Sequence, residues 1–390
     1  MDLDKVYNEN CLEGLKKLPD NSVDCCVTSP PYYGLRDYGT GKWIGGDPNC
    51  PYMRTNKLSD KCTTGHKNLK EMQGVGDSIY KSVCPVCGAV RVDEQIGSEE
   101  SPQDYINKLV DVFMEVYRIL KPDGTFWLNI GDTYNGYKAG NDNPKWTNTN
   151  TKSFVKRSAE GLKPKDLIGI PWMLAFALRE KGWYLRQDII WHKPNPMPEA
   201  VKDRCTKSHE YIFLFSKSQN YYYDYESIQE RAVSADDLER RVNNGKAEWK
   251  TDKAKDTYAV SGEGRDRREL YSKKHKNLQY DGQKPNTMHL KRAEGMQDEE
   301  FYVRNKRDVW SVPTRPDKVS HFAVFPEELI KPCILAGCAG GGIVLDPFMG
   351  SGTTARVART LNRHFVGFEL NPDYCKIINK KTQVTGDLFY

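Results

Sequence analysis

The sequence predicts an α/β protein, a doubly wound and mainly parallel sheet that carries two insertions. Two observations give the sheet. Short apolar runs alternate with stretches whose apolar residues recur every three or four positions. Several of those runs also end in turn-forming residues that lead towards the next helix. A third gives the insertions: the rhythm breaks twice, at roughly 39–98 and 217–310, where polar and charged sequence takes over.

The elements follow in order. Asn10 is placed to cap a helix in which Leu12, Leu15 and Leu18 share a face. Pro19-Asp20-Asn21-Ser22 makes a turn, and Val23 to Thr28 is a strand running straight into Ser29-Pro30-Pro31-Tyr32. Ser101-Pro102 opens the next helix as a cap followed by a first-turn proline. Its apolar face runs from Tyr105 and Ile106 through Leu109, Val110, Phe113, Val116 and Tyr117 to Leu120. Lys121-Pro122-Asp123-Gly124 ends that helix, and Thr125 to Ile130 is the following strand. A third helix, Pro171 to Lys181, precedes strands at Leu185–Trp191 and Tyr211–Phe215. Beyond the charged segment the pattern resumes with a strand at Ile343–Leu345, a helix from Thr353 to Leu361 and a strand at Phe365–Phe368. The expected domains are a core built from 1–38, 99–216 and 311–390, interrupted by a Cys/His insertion at 39–98 and a charged one at 217–310.

Composition narrows the class. With 390 residues, 38% hydrophobic and 28% charged, the chain has room for a sizeable core under a polar surface. No apolar run approaches the roughly 18 residues of a membrane helix. The opening Met-Asp-Leu-Asp-Lys has neither a basic nor an apolar leader region, so the expectation is a cytoplasmic protein. Net charge is +5, and the stretch from Arg231 to Asp308, with 19 basic and 15 acidic side chains, supplies most of it. Charge alone fits a nucleic-acid-facing module and a solvated insertion equally well. Eleven cysteines in such a chain read as reduced core residues or metal ligands, not as a disulfide framework.

Two stretches carry chemistry. Asp346-Pro347-Phe348-Met349-Gly350-Ser351-Gly352-Thr353-Thr354 runs from strand through a glycine turn into a helix, where free N–H groups meet a ligand. Glu369 follows 23 residues after Asp346 at the tip of the next strand, the place of a ribose-binding acid. No Gly-Lys-Ser/Thr follows and the Gly-x-Gly-x-x-Gly spacing is missing, so an adenosine-containing ligand without phosphates fits best. At the other stretch, Thr28-Ser29-Pro30-Pro31-Tyr32, two prolines hold an extended loop that lacks its own N–H donors. Its carbonyls and the Ser29 hydroxyl are suited to accept from an amine, and Tyr32 offers a ring for a base to stack on.

Together these motifs resemble the amino-group DNA methyltransferases that make N4-methylcytosine or N6-methyladenine. Ser29-Pro30-Pro31-Tyr32 is similar to that family's catalytic motif, and Thr28 with Asp346 to Thr354, including Pro347, Phe348, Gly350, Ser351, Gly352 and Thr353, lines its S-adenosylmethionine site. Glu369 matches the ribose-binding acid, and the segment from His321 through Phe325 to Glu327 matches the one preceding the cofactor loop. Trp191-His192-Lys193-Pro194-Asn195-Pro196 is similar to a segment near the flipped base. Asn10 stands where the family commonly has an acid facing the adenine. Catalytic motif first and cofactor motif last resembles the permuted order called the beta class.

The resemblance implies a Rossmann-like methyltransferase acting on double-stranded DNA, with 217–310 as target-recognition region and a companion restriction nuclease. It implies that a base leaves the duplex and that its amine, held by the Ser29 hydroxyl and the Pro30 carbonyl, attacks the sulfonium methyl directly. Ser29 leans towards cytosine N4, because adenine-N6 members commonly carry Asp there. Adenine N6 is the alternative, and a DNA-binding module on an inactive methyltransferase scaffold is the rival from another class. RNA or protein amines are further acceptors of such a loop.

Cys84-Pro85-Val86-Cys87-Gly88 is a Cys-x-x-Cys-Gly turn, half of a structural zinc knuckle. Cys50 with Cys62 completes four sulfurs, whereas Cys50 with His66 gives three sulfurs and an imidazole. Reduced cysteines without metal are the alternative. Cys333 follows Pro332 in an apolar helical stretch away from the Ser-Pro-Pro-Tyr motif, so it is read as a core residue, not as a nucleophile.

Overall fold

The computed structural model describes residues 1–34, 41–51, 53–54, 78–79, 83–93, 95–136, 161–231, 303–315 and 325–383. In chain order the elements are β1 (Lys5–Tyr7), α1 (Cys11–Lys16), β2 (Val23–Thr28), the short strands β3 (Lys42–Ile44), β4 (Met53–Arg54), β5 (Ser78–Ile79) and β6 (Val90–Val92), then α2 (Pro102–Ile119) and β7 (Leu120–Ile130). There follow α3 (Ile170–Glu180), β8 (Tyr184–His192), β9 (His209–Ser216), β10 (Glu230–Arg231), β11 (Val303–Arg304), β12 (Val309–Ser311), α4 (Glu327–Gly337), β13 (Ile343–Asp346), α5 (Thr353–Thr360), β14 (His364–Phe368) and α6 (Pro372–Gln383).

Eight strands form one sheet in the order β1-β14-β13-β2-β7-β9-β8-β12. Every neighbouring pair is parallel except the two that β9 makes, with β7 and with β8. The sheet is therefore mainly parallel, with one reversed strand. Alternation along β7 divides its faces. Phe126, Leu128 and Ile130 join Phe213 and Phe215 under α1, α2 and α3. Thr125 and Trp127 point the other way, against Gly337 at the end of α4. Burial of large apolar side chains on both faces is what a doubly wound sheet requires.

One local reading changes, and three short elements come in addition. The Lys121–Gly124 turn does not separate helix from strand. Val23 already pairs with Leu120, and the ladder resumes at Cys25↔Thr125, so those four residues form an excursion within β7. Lys121 reaches back from it to Asp24 at 2.6 Å. The edge strands β1 and β12 have three residues each, too few to show a period. The helix α6 carries three lysines, and its buried Cys375 and Ile378, three residues apart, make a face too short to stand out in the sequence.

Residues Met1–Ser227 and Arg307–Tyr390 form one compact unit, and Ile228–Lys306 a second. Within the second, β10 and β11 pair antiparallel and Arg304 bridges Glu230 at 3.0 Å. Within the first, β3 pairs with β6 and β4 with β5 in the Cys/His insertion.

Candidate active site

β2 and β13 are adjacent and parallel, with Cys25 opposite Val344 and Cys26 opposite Leu345. That register brings the Ser-Pro-Pro-Tyr loop and the glycine loop out side by side at the carboxyl edge, where open α/β sheets bind ligands. A buried carboxylate joins them. Asp346 Oδ1 accepts from the Thr28 hydroxyl at 2.5 Å and from the Phe348 N–H at 3.0 Å, while Oδ2 accepts from the Thr354 hydroxyl at 2.6 Å. Burial pushes the Asp346 carboxyl up to about 6, against the pull of these donors.

The glycine loop has the backbone its sequence suggested. Gly350 and Gly352 adopt φ of 55° and 83°, in the left-handed region. A β-carbon on Gly352 would also lie 2.8 Å from Ile378 of α6. α5 begins directly after the loop with no side-chain cap, so its first N–H groups remain to meet a ligand. Glu369 closes the loop from the end of β14, accepting from Gly350 N–H at 2.9 Å and Asn371 N–H at 2.8 Å. Burial pushes its carboxyl up to about 7. Ser351 Oγ is buried with no hydrogen-bond partner among the described residues. An orphaned hydroxyl beside a buried acid suits a ligand that presents hydroxyls, and the acid would repel phosphates. Pro347, Thr353 and Thr354 are buried, and half-buried Phe348 lies edge-on to Phe113.

The remaining expected cofactor residues are more scattered. Asn10 caps α1, its amide oxygen accepting from Leu12 N–H at 2.9 Å. Phe325 is half-buried and directly precedes Pro326, the N-cap of α4. His321 lies outside the described residues. Cys333 is buried within α4, as a core residue should be.

In the Ser-Pro-Pro-Tyr loop Pro30 is buried, and Ser29, Pro31 and Tyr32 are half-buried. Tyr105 of α2 donates to the Pro31 carbonyl at 2.8 Å and roots the loop. The Tyr32 hydroxyl donates to Glu210 Oε2 at 2.7 Å and lies 3.2 Å from Asn129 Oδ1. Ser29 Oγ donates towards it at 3.4 Å. Burial and the adjoining Glu210 carboxylate raise the Tyr32 phenol well above its ordinary value, so it stays protonated. Lys193 pairs with Glu210 and stands 4.3 Å above the Trp191 ring. Gly131 packs so close that a β-carbon there would meet the Tyr32 ring at 2.7 Å. The sequence marks neither Glu210 nor Asn129, and it marks Tyr105 only as part of an apolar helix face. One signal was available for Glu210, a carboxylate at the head of the apolar strand β9, where it must find a partner.

A model of the N6/N4 DNA methylases matches residues 23–380, nearly the whole chain and both loops. The chain belongs to the N6/N4 amino-group DNA methyltransferases. Among this family's type II methyltransferases, M.Cfr9I of Citrobacter freundii is 37% identical over 379 residues, covering 97% of this chain and 87% of its own. M.SmaI of Serratia marcescens is 37% identical over 378 residues, covering 97% and 90%. Among solved structures, the PvuII DNA methyltransferase (cytosine-N4-specific) aligns with a TM-score of 0.50 at 14% identity, over 97% of this chain and 87% of that one, a likeness of fold.

Away from the sheet edge, this methyltransferase gathers three thiols. The ligand atoms of Cys50, Cys84 and Cys87 all lie within 4.8 Å of one another, with Cys50 Sγ and Cys84 Sγ 3.6 Å apart. The turn is built for it: Cys84 N–H donates to Ala89 O and Gly88 N–H to Cys84 O, both at 2.8 Å, and Gly88 is left-handed at φ 75°. The Ala89 N–H, first among several donors, holds the Cys87 thiol below its ordinary value. Cys62 and His66, the expected fourth ligands, lie outside the described residues.

Proposed function

We propose that this chain methylates the exocyclic N4 amine of cytosine in duplex DNA, with S-adenosylmethionine as methyl donor. The carrying observation is the Thr28–Asp346 hydrogen bond, which fixes the amine-accepting loop beside the loop suited to an adenosyl ligand. Bound there, the cofactor supplies an electrophilic methyl group on a sulfonium. The protein's own contribution is positioning and electrostatics. Ser29 Oγ and the Pro30 carbonyl accept from the base amine and turn its lone pair towards the methyl group. Glu369 accepts from the ribose hydroxyls, Ser351 Oγ finds the partner it lacks, and the first N–H groups of α5 face the ligand. Tyr32 stacks on the base and offsets part of the cost of unstacking it.

A neutral Ser29 in place of a carboxylate supports cytosine over adenine. The similarity to type II methyltransferases supports a site-specific enzyme that protects DNA from a companion nuclease. The thiol cluster supports a structural zinc, since a tetrahedral ion with Zn–S bonds of about 2.3 Å sets its sulfurs about 3.8 Å apart. DNA from cells expressing the protein, digested to nucleosides and analysed by mass spectrometry, should contain N4-methylcytosine. N6-methyladenine alone would move the target to adenine, and no modified base would overturn the reading.

A further inference from the structure

The hydrogen bonds behind Ser29 have a direction that can be worked out atom by atom. A phenol has a single proton to donate, and two acceptors converge on that of Tyr32: Glu210 Oε2 at 2.7 Å and Asn129 Oδ1 at 3.2 Å. An ionised carboxylate has no proton to give back. The amide of Asn129 is turned so that its NH₂ donates to the Tyr211 carbonyl at 3.1 Å, which leaves its oxygen facing the phenol. The Tyr32 oxygen therefore meets Ser29 with a lone pair, and Ser29 gives its proton inward. What Ser29 then presents to a base is lone pairs alone. Lys193 pairs with the other oxygen of Glu210 and holds the carboxylate in place against the phenol.

We propose that Glu210, held by Lys193, fixes Ser29 as a hydrogen-bond acceptor and so makes the loop select a base bearing an exocyclic amine over one bearing a carbonyl at the same place. Cytosine offers two N–H donors there. Uracil and thymine offer an oxygen, which would meet the Ser29 lone pairs and the Pro30 carbonyl with no proton between them. Glu210, Lys193 and Asn129 are positioning residues, because they act through Tyr32 and Ser29. The 3.4 Å separation of Ser29 and Tyr32 is long for the free site, and such contacts tighten when the base arrives.

The inference rests on the cytosine reading above, and its test separates the two. Two duplexes contain the site methylated in cells, with cytosine or uracil as target base opposite an abasic position, so that base-pair strength does not enter. Fluorescence anisotropy gives both dissociation constants with S-adenosylhomocysteine present. The wild type should favour cytosine by about tenfold, the worth of one or two hydrogen bonds against an unmet acceptor. Tyr32→Phe keeps the stacking ring and removes the relay, and the ratio should fall towards unity. Glu210→Gln should lower it part of the way: Lys193 attracts the amide oxygen, which turns the NH₂ onto the phenol and leaves Asn129 Oδ1 alone to hold the phenol proton away from Ser29. Cofactor binding measured by calorimetry confirms that each variant is folded. In a Ser29→Ala background neither change should alter the ratio further. An unchanged ratio in both variants of an active enzyme would overturn this inference alone. A wild type that transfers no methyl group to DNA would overturn it together with the reading on which it rests.

Discussion

Asp346 shows how little of an acid at the mouth of a ligand loop need face the ligand. Both its oxygens are taken by Thr28, Phe348 and Thr354, so its work is to hold two loops in one place. Asp346→Ala should leave the part-buried Phe348 N–H without its acceptor and loosen both buried threonines, lowering stability by about 2–4 kcal/mol in denaturant unfolding. Asp346→Asn should cost less, since the amide keeps an acceptor and the Thr354 hydroxyl can rotate to accept. The pH dependence has a definite sign. Folding raises Asp346 from 3.8 to about 6 and Glu369 from 4.5 to about 7. Their contributions are in full below about pH 4 and are lost as pH rises through about 6 and then 7. The cofactor-free protein should therefore melt at a falling temperature across that window, and Glu369→Gln should flatten its upper part.

At the scale of elements, the cluster of Cys50, Cys84 and Cys87 gives the sharpest expectation. Purified protein should carry about one equivalent of zinc. Cys84→Ser should lose it and loosen the insertion while cofactor binding, sited at the sheet edge, is unchanged. Metal-free protein purified without chelator would leave the thiols as core residues. The same scale shows what the sequence makes legible. The helices α2 and α3 and the strands β2, β7, β8, β9, β13 and β14 all follow from apolar spacing, because long periodic faces record which side is buried. The Lys121–Gly124 excursion does not, since proline and glycine signal a departure from the ladder without telling whether the strand has begun. In the site, residues consecutive in sequence were legible and those gathered from afar were not. Ser29 to Tyr32 and Gly350 to Glu369 could be read, whereas Glu210 meets Tyr32 across 178 residues, through a strand register that no local pattern encodes.

For the whole molecule, the expected division of labour sets catalysis and cofactor binding in the sheet and target reading in the charged segment. Arg265, Arg267, Arg268, Lys273 and Lys274 lie outside the described residues, and the expectation for them comes from charge alone. Neutralising several should weaken DNA binding and flatten its salt dependence at unchanged cofactor affinity. An unaltered salt slope would move recognition elsewhere. One feature of the sheet bears on how such a chain is made. β13 inserts between β14 and β2, and its Asp346 meets Thr28 across 318 residues. A ribosome releases β2 early and β13 very late, so the strand edge meant for β13 must wait through most of synthesis. Contacts that span so much chain make for slow closure. Methylating competence would then appear in one late step, and a nascent or truncated chain ending before Ile343 has a catalytic loop with no donor site beside it.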